Sequence, residues 1–386
     1  MPAPRRIIVD ANIPAAEACF GELGEVQRLP GRELPPEALA DAEVLITRSI
    51  TRVDRTLLDQ APRLRFVGTC TIGTDHIDRL ALAERGIGFS SAPGCNAEAV
   101  VDHVLGALLW AAEREGQELE ARRVGIVGVG QVGGRLAARL AALGIEALCC
   151  DPPRAEAEGG GDFHDLDALI ERCDVLCLHT PLVRGGPHAT HHLLDARRLR
   201  ALRPGTWLLN AGRGDCLDGE ALKARLAGRG DLTTLLDVWE NEPAIDEALW
   251  RATDLATPHV AGYSLDGKLR GTHQVYAAAM HHFGLPARRR LGELLPPPAL
   301  PRLTLDAGLN PWDALRLCIR ACHDPRRDAL GLARFARERG MARGFDAYRA
   351  DYPLRREFAT LTVALREGAA ELAPWLQGAG FGVELS

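Results

Sequence analysis

Three residues in the middle of the chain have types that could jointly carry acid–base chemistry on an anionic substrate. Arg213 sits in Asn210-Ala211-Gly212-Arg213-Gly214, Glu242 in Asp237-Val238-Trp239-Glu240-Asn241-Glu242-Pro243, and His259 in Thr257-Pro258-His259-Val260-Ala261-Gly262. A guanidinium offers a carboxylate a bidentate pair. A histidine within reach of a carboxylate is a better base, because the carboxylate stabilises the imidazolium. Taken singly, each residue also has a plain reading: Arg213 as a tether, Glu242 as a surface acid before a proline turn, His259 as a loop histidine with its bonds satisfied.

A glycine-rich turn changes that balance. Gly128-Val129-Gly130-Gln131-Val132-Gly133 follows the apolar run Val124–Val127 and opens the helical run Val132–Leu143. The first glycine permits a tight turn, the second lets a pyrophosphate approach, and the third lets helix and strand pack closely. Asp151 lies eighteen residues past Gly133, at the end of the run Ile145–Cys150. A carboxylate there accepts hydrogen bonds from a ribose diol and repels a 2′-phosphate, which favours NAD over NADP. Arg154, close by, softens that preference.

The elements that must position these residues alternate regularly. Val124–Val127, Ile145–Cys150, Val175–Leu178, Trp207–Leu209 and Thr233–Leu236 read as buried strands, with helical stretches at Val132–Leu143, Leu166–Arg172, Ala196–Leu202 and Gly219–Ala227. Such a series is the pattern of a doubly wound nucleotide-binding domain. Before it, Arg6–Val9, Val44–Thr47, Phe66–Val67 and Ile87–Phe89 read as strands alternating with helical stretches such as Ile13–Leu23 and Arg52–Gln60, a second α/β unit. Ala97–Leu119 is apolar on most sides and predicts a buried helix. After the helical run Gly267–Phe283, the proline-rich Leu295–Pro301 predicts a stiff linker. Beyond it lie helical runs at Pro311–Cys322, Arg326–Arg339 and Glu367–Gln377, the last broken at Pro374, and strand-like runs at Thr360–Ala364 and Phe381–Leu385.

Composition removes several classes. The chain has 386 residues, of which 46% are hydrophobic and 25% charged, enough for two or three globular domains. Its net charge of −6 gives no general affinity for nucleic acid, and no apolar run approaches the roughly 18–20 residues of a membrane span. Met1–Arg6 leads straight into Ile7-Ile8-Val9 without the apolar core of a signal peptide. The 10 cysteines have no framework spacing, which predicts free thiols in a cytoplasmic protein. Neither Cys318, Cys322 and His323 nor His281-His282 makes a convincing ligand set, so no metal is expected.

The order of these motifs resembles that of the D-isomer-specific 2-hydroxyacid dehydrogenase family: the glycine turn, then Asn-x-x-Arg-Gly, then Asp-x-x-x-x-Glu-Pro, then Pro-His. The likeness extends over roughly residues 40–285 and includes Gly68–Asp78 and Ala92–Asn96. It implies two Rossmann-like doubly wound parallel-sheet domains: a substrate-binding domain at 1–92 plus 258–285 and an NAD-binding domain at 93–257. Arg213 would bind the substrate carboxylate, His259 would exchange the hydroxyl proton, and Glu242 would support His259. Gly128, Gly130, Gln131, Val132, Gly133, Asp151, Thr180, Ala211, Gly212, Arg213, Asp237 and Gly262 would contact NAD.

Finer details resemble one branch of the family, which acts on a small phosphorylated 2-hydroxy acid. These are the lengthened stretch His179–Thr190, Cys149–Arg154, Ala261–Lys268, and a tail starting near Leu294-Leu295-Pro296. That branch implies substrate contacts at Ser49, Thr71 and Tyr263, and a small α/β C-terminal dimerisation domain at 286–386 that makes the protein a homodimer. Arg48, Ser49, Lys268 and Arg270 are candidates for the substrate phosphate, and Arg326-Arg327 or Arg355-Arg356 for reaching a partner's site. Asp215 departs from the wider family and would repel an anionic substrate unless it is paired or points away. Two alternatives stay open: another enzyme of the family, such as one acting on 3-phosphoglycerate, and a non-catalytic NAD-sensing protein on the same fold.

Overall fold

The structure is a computed structural model that describes residues 4–32 and 34–385. The chain divides into two compact units, residues 1–96 with 264–297, and residues 97–263 with 298–386.

In the first unit five parallel strands stand in the order Gly24–Leu29, Arg5–Asp10, Val44–Thr47, Phe66–Thr69, Gly88–Ser90. Strand alternation divides its core in two. Ile7, Val9, Val44, Ile46 and Phe66 pack on one face with Val275, Tyr276 and Met280 of the helix Leu265–His282. Ile8, Leu45 and Val67 pack on the other with Leu39, Leu58 and Leu82. The edge strand Gly24–Leu29 was not anticipated. Its residues are part-exposed and mix apolar with polar types, so neither a continuous apolar run nor a strict alternation marks it.

In the second unit six parallel strands follow the order Leu255–Ala256, Thr233–Leu236, Trp207–Asn210, Val175–Leu178, Val124–Val127, Ala147–Cys150. The helix Ala97–Glu115 is buried along most of its length and packs on the helices Gly133–Ala142 and Pro311–Cys322. Its one buried acid, Asp102, is held 2.6 Å from Arg139 and accepts the Phe358 N–H at 2.9 Å. Burial outweighs these partners and lifts the Asp102 pKa to about 6. Residues 298–385 carry a parallel sheet of their own, ordered Arg302–Leu305, Thr362–Leu365, Gly382–Leu385. Trp312, Leu315, Phe358 and Leu376 from this stretch share one core with Val104, Ile126, Leu140 and Leu209. Both sheets belong to the same apolar body.

The tail departs from expectation in two places. Pro374 starts a helix, Ala373–Gly378, rather than breaking one, because the first turn needs no proline N–H. A helix at Met341–Ala350 was missed, since Gly344 weakens its propensity. Tertiary packing supplies the reason for that glycine: a Cβ there would lie 2.6 Å from the Phe335 backbone of the helix Pro325–Arg339. No helix among the described residues is long and apolar enough to cross a membrane.

Candidate active site

Strand order in the second unit reverses between Val124–Val127 and Val175–Leu178, which lie side by side and parallel. Open α/β sheets place ligands at the carboxyl ends of such a pair. The glycine turn is there. Gly128 has φ 86°, a left-handed conformation that side chains rarely adopt, and a Cβ on Gly133 would lie 2.0 Å from the Gly128 carbonyl oxygen. Above Gly130 no atom stands within 4 Å of where a Cβ would be, so the backbone is open to a ligand. Asp151 Oδ2 accepts the Val129 N–H at 2.8 Å, and its Oδ1 accepts the Arg154 N–H at 3.1 Å. Each oxygen keeps a further lone pair for a diol. Arg154 closes the loop from the other side, donating to the Val129 carbonyl at 2.7 Å. A turn of this shape, with a carboxylate at the end of the next strand, suits the pyrophosphate and ribose of NAD.

The other residues expected to contact the cofactor flank this crevice or the neighbouring strand ends. Val132 immediately precedes the helix Gly133–Ala142 and makes no side-chain capping bond, while Gln131 accepts two bonds from Arg135 at 2.7 and 2.8 Å. Thr180 is buried and directs its hydroxyl to Cys216 Sγ at 3.4 Å. Beside it, both ring nitrogens of His179 are buried without a partner, and burial lowers its pKa to about 4.

Arg213, Glu242 and His259 follow three strands that are consecutive neighbours: Trp207–Asn210, Thr233–Leu236 and Leu255–Ala256. The Asn210 carboxamide shapes the first loop, accepting the Gly212 N–H at 3.1 Å and donating to the Arg213 carbonyl at 3.0 Å. Glu242 Oε2 lies 2.7 Å from His259 Nδ1, and its Oε1 accepts the Trp239 N–H at 2.9 Å. A carboxylate oxygen accepts, so Nδ1 is the donor in this contact, and in the neutral ring Nε2 keeps its lone pair. His259 itself has φ 55°, an unfavourable backbone conformation for a side-chain-bearing residue.

Asp237 holds that conformation. Its carboxylate accepts the Thr257 hydroxyl at 2.6 Å, the Val260 N–H at 2.9 Å and the Ala261 N–H at 3.0 Å, while its carbonyl accepts the His259 N–H at 2.6 Å. Trp239 Nε1 donates to the Thr257 carbonyl at 2.9 Å. Burial works against the Asp237 charge, but His103, His259 and these donors outweigh it and lower its pKa. From the tail, the buried Arg355 donates to the Ala261 carbonyl at 3.0 Å, the Val260 carbonyl at 3.3 Å and the Ala99 carbonyl. The sequence suggested Arg355 for a partner's site; in this chain its two terminal nitrogens are bonded to backbone carbonyls, while Nε is buried without a partner. Only the position of Asp237 directly after a buried strand could have hinted at its role in positioning His259.

Further residues named from the sequence have these surroundings in the fold. Tyr263 closes the His259 loop through its N–H to the Val260 carbonyl at 2.9 Å. In the first unit Ser49 is exposed, and Thr71 donates to the Gly73 carbonyl at 3.1 Å. Asp215 is paired with Arg184 at 3.0 Å, so the lengthened stretch His179–Thr190 brings the cation that offsets its charge. The structure also gathers a buried trio the sequence did not suggest, His103, His323 and Asp328. His103 Nδ1 and His323 Nε2 bond each other at 3.1 Å, and Asp328 accepts the hydroxyls of Tyr348 and Tyr352 at 2.8 and 2.9 Å. His323 Nδ1 is buried without a hydrogen-bond partner, and burial lowers the pKa of both rings.

Comparison with known proteins agrees with this geometry. Residues 101–261 match the NAD-binding domain of D-isomer-specific 2-hydroxyacid dehydrogenases, and residues 294–380 match a domain of unknown function, DUF3410. Erythronate-4-phosphate dehydrogenase of Chromohalobacter salexigens is 59% identical over 381 residues, covering 99% of each chain. The enzyme of that name from Azotobacter vinelandii is 52% identical, covering 97% of this chain and 99% of its own. Among solved structures, D-lactate dehydrogenase of Aquifex aeolicus, complexed with NAD and lactic acid, shares the fold with a TM-score of 0.63. It is 23% identical, over 72% of this chain and 96% of its own. A glycine turn at the switch point and an Arg–Glu–His set on adjacent strand ends thus have relatives along the whole chain: the protein belongs to the D-isomer-specific 2-hydroxyacid dehydrogenases, and within them to the erythronate-4-phosphate dehydrogenases.

Proposed function

We propose that this NAD-dependent 2-hydroxyacid dehydrogenase oxidises the C2 alcohol of 4-phospho-D-erythronate to the 2-oxo acid, (R)-3-hydroxy-2-oxo-4-phosphooxybutanoate, in the route to pyridoxal 5′-phosphate. The observation that carries this reading is the 2.7 Å contact between Glu242 and His259 Nδ1, which leaves Nε2 as the base. When bound, NAD takes the hydride from C2. Nε2 of neutral His259 takes the hydroxyl proton, and Glu242 stabilises the imidazolium that forms. Arg213 holds the substrate carboxylate and thereby orients C2. Gly128, Gly130, Gly133 and Asp151 hold the dinucleotide, with Gln131, Val132, Thr180, Ala211, Gly212, Asp237 and Gly262 as further contacts. Ser49, Thr71 and Tyr263 contact the substrate.

In this reading residues 286–386 form a dimerisation domain. Its exposed leucines support that assignment: Leu317, Leu330 and Leu354 are 47%, 72% and 65% accessible. Light scattering at twice the chain mass of 41.7 kDa tests it. The 10 free thiols fit a reducing cytoplasm.

The test of activity is NADH formation with NAD and a panel of 4-phosphoerythronate, 3-phosphoglycerate, erythronate and D-lactate, with 2-oxo acids added in a second set to reoxidise cofactor. Turnover of 4-phosphoerythronate that disappears in His259→Ala and Arg213→Ala supports the proposal. Turnover of 3-phosphoglycerate alone overturns the substrate, and NAD binding without any turnover overturns the catalytic reading.

A further inference from the structure

The substrate in the proposed reaction carries two anions, and Arg213 accounts for only the carboxylate. Of the cations the sequence put forward for the phosphate, Arg270 is engaged by backbone. Arg48, Lys268 and Arg270 belong to the first unit, where the Arg270 guanidinium donates to the Cys95 carbonyl. Around the His259 loop, Arg184 is paired with Asp215, and Arg355 is bound to three backbone carbonyls.

Arg349 lies on the helix Met341–Ala350, which sequence reasoning missed. Its guanidinium carbon stands 5.5 Å from the Tyr263 ring centre and 5.7 Å from that of Phe345. Two aromatic rings therefore flank the guanidinium, and its N–H groups are what it can offer a ligand. Nε is buried without a hydrogen-bond partner. Burial opposes its charge, but Tyr263 and Glu242 outweigh that and raise its pKa. Tyr352, three residues on, packs edge-on against the same Tyr263 ring at 5.4 Å. The tail thus places an arginine flanked by aromatic rings beside Tyr263, at the end of the His259 loop.

We propose that Arg349, braced by Tyr263 and Phe345, is a specificity-determining residue that binds the phosphoryl end of the substrate. This rests on the proposed reaction at His259. It assigns the tail a part in reading the substrate: a planar donor fork matches the oxygens of a phosphate dianion, and Tyr263, which braces it, belongs to the His259 loop.

The test compares wild type, Arg349→Met and Arg349→Lys on 4-phosphoerythronate and on erythronate, with inorganic phosphate as a competing anion. In Arg349→Met, kcat/KM for the phosphorylated substrate should fall about 100-fold, mostly through KM, against a few-fold for erythronate. Inhibition by phosphate should weaken in parallel, and Arg349→Lys should recover part of both. NAD affinity and melting temperature, measured alongside, identify a variant that has merely failed to fold, in which case Arg349→Lys decides. An equal loss on both substrates, with phosphate inhibition unchanged, would overturn the proposal and make Arg349 a positioning residue for Glu242. Wild-type inactivity on 4-phosphoerythronate defeats the reaction itself, a result separate from either.

Discussion

Replacing Asp237 with asparagine should release the loop that carries His259 while leaving the sheet intact. The substitution keeps the shape and removes the charge. Asn Oδ1 can still accept from Thr257 and Val260, but its amide nitrogen would then face the Ala261 N–H, now 3.0 Å from Oδ2. Hydrogen bonds to charged groups contribute about 1.5–3 kcal/mol against about 0.5–1.5 for neutral ones, and an orphaned buried donor costs about 1–3 kcal/mol. Two bonds weakened by about 1–1.5 kcal/mol each, and one lost bond whose stranded N–H costs about 1–3 kcal/mol, come to roughly 3–6 kcal/mol. Against that stands the strained φ of 55° at His259, a conformation that costs about 1–3 kcal/mol and relaxes once the loop is free. A loop that has lost this restraint misplaces His259 and should lower kcat by about 100- to 1,000-fold. Steady-state NADH production reads the rate, and hydrogen exchange at the Val260 and Ala261 amides reads the loop. Nucleotide affinity by fluorescence separates this effect from a cofactor contact at Asp237. If both amides stay protected and kcat remains within about three-fold of wild type, the loop is held by something other than Asp237 and the reasoning fails.

Two other predictions concern the cofactor turn and acid stability. In Gly133→Ala the new Cβ would lie 2.0 Å from the Gly128 carbonyl oxygen, so the turn must open; NAD affinity, measured by fluorescence titration, should fall by at least about 100-fold in a folded protein. Burial holds His103 and His179 near pKa 4, below their ordinary value of 6.5, and lowers His323 as well. The unfolded chain binds more protons than the folded one between those values, so stability falls as pH drops from 6.5 toward 4. The linked loss is of order 3 kcal/mol per residue once pH is below both values. Melting temperatures should decline through that window, and His103→Gln should flatten part of the decline; a flat wild-type profile would count against neutral burial of these rings.

Much of this protein is legible in its sequence because the signals are local. Strands buried on both faces, such as Val124–Val127, Val175–Leu178 and Thr233–Leu236, must be continuous apolar runs, and they begin and end where the sequence predicts. The glycine spacing of the cofactor turn is likewise dictated by backbone sterics within a few residues of itself. The edge strands Gly24–Leu29 and Arg302–Leu305 escaped notice because they are half exposed and have no uniform pattern to display. The helix Met341–Ala350 escaped for a different reason, since its glycine answers to the neighbouring helix rather than to local propensity.

The site divides along the same line. Residue types and order along the chain single out Arg213, Glu242 and His259, because the chemistry requires a guanidinium, a carboxylate and an imidazole. What holds them depends on contacts between residues far apart in sequence. Asp237 grips the backbone of Val260 and Ala261, Arg355 reaches their carbonyls from the tail, and Arg184 offsets the charge of Asp215. Arg349 beside Tyr263 is of the same kind. A sequence specifies which groups are available and where the chain must be buried. Only the fold decides which buried carboxylate meets which N–H, since those distances depend on how strands and helices are ordered in space.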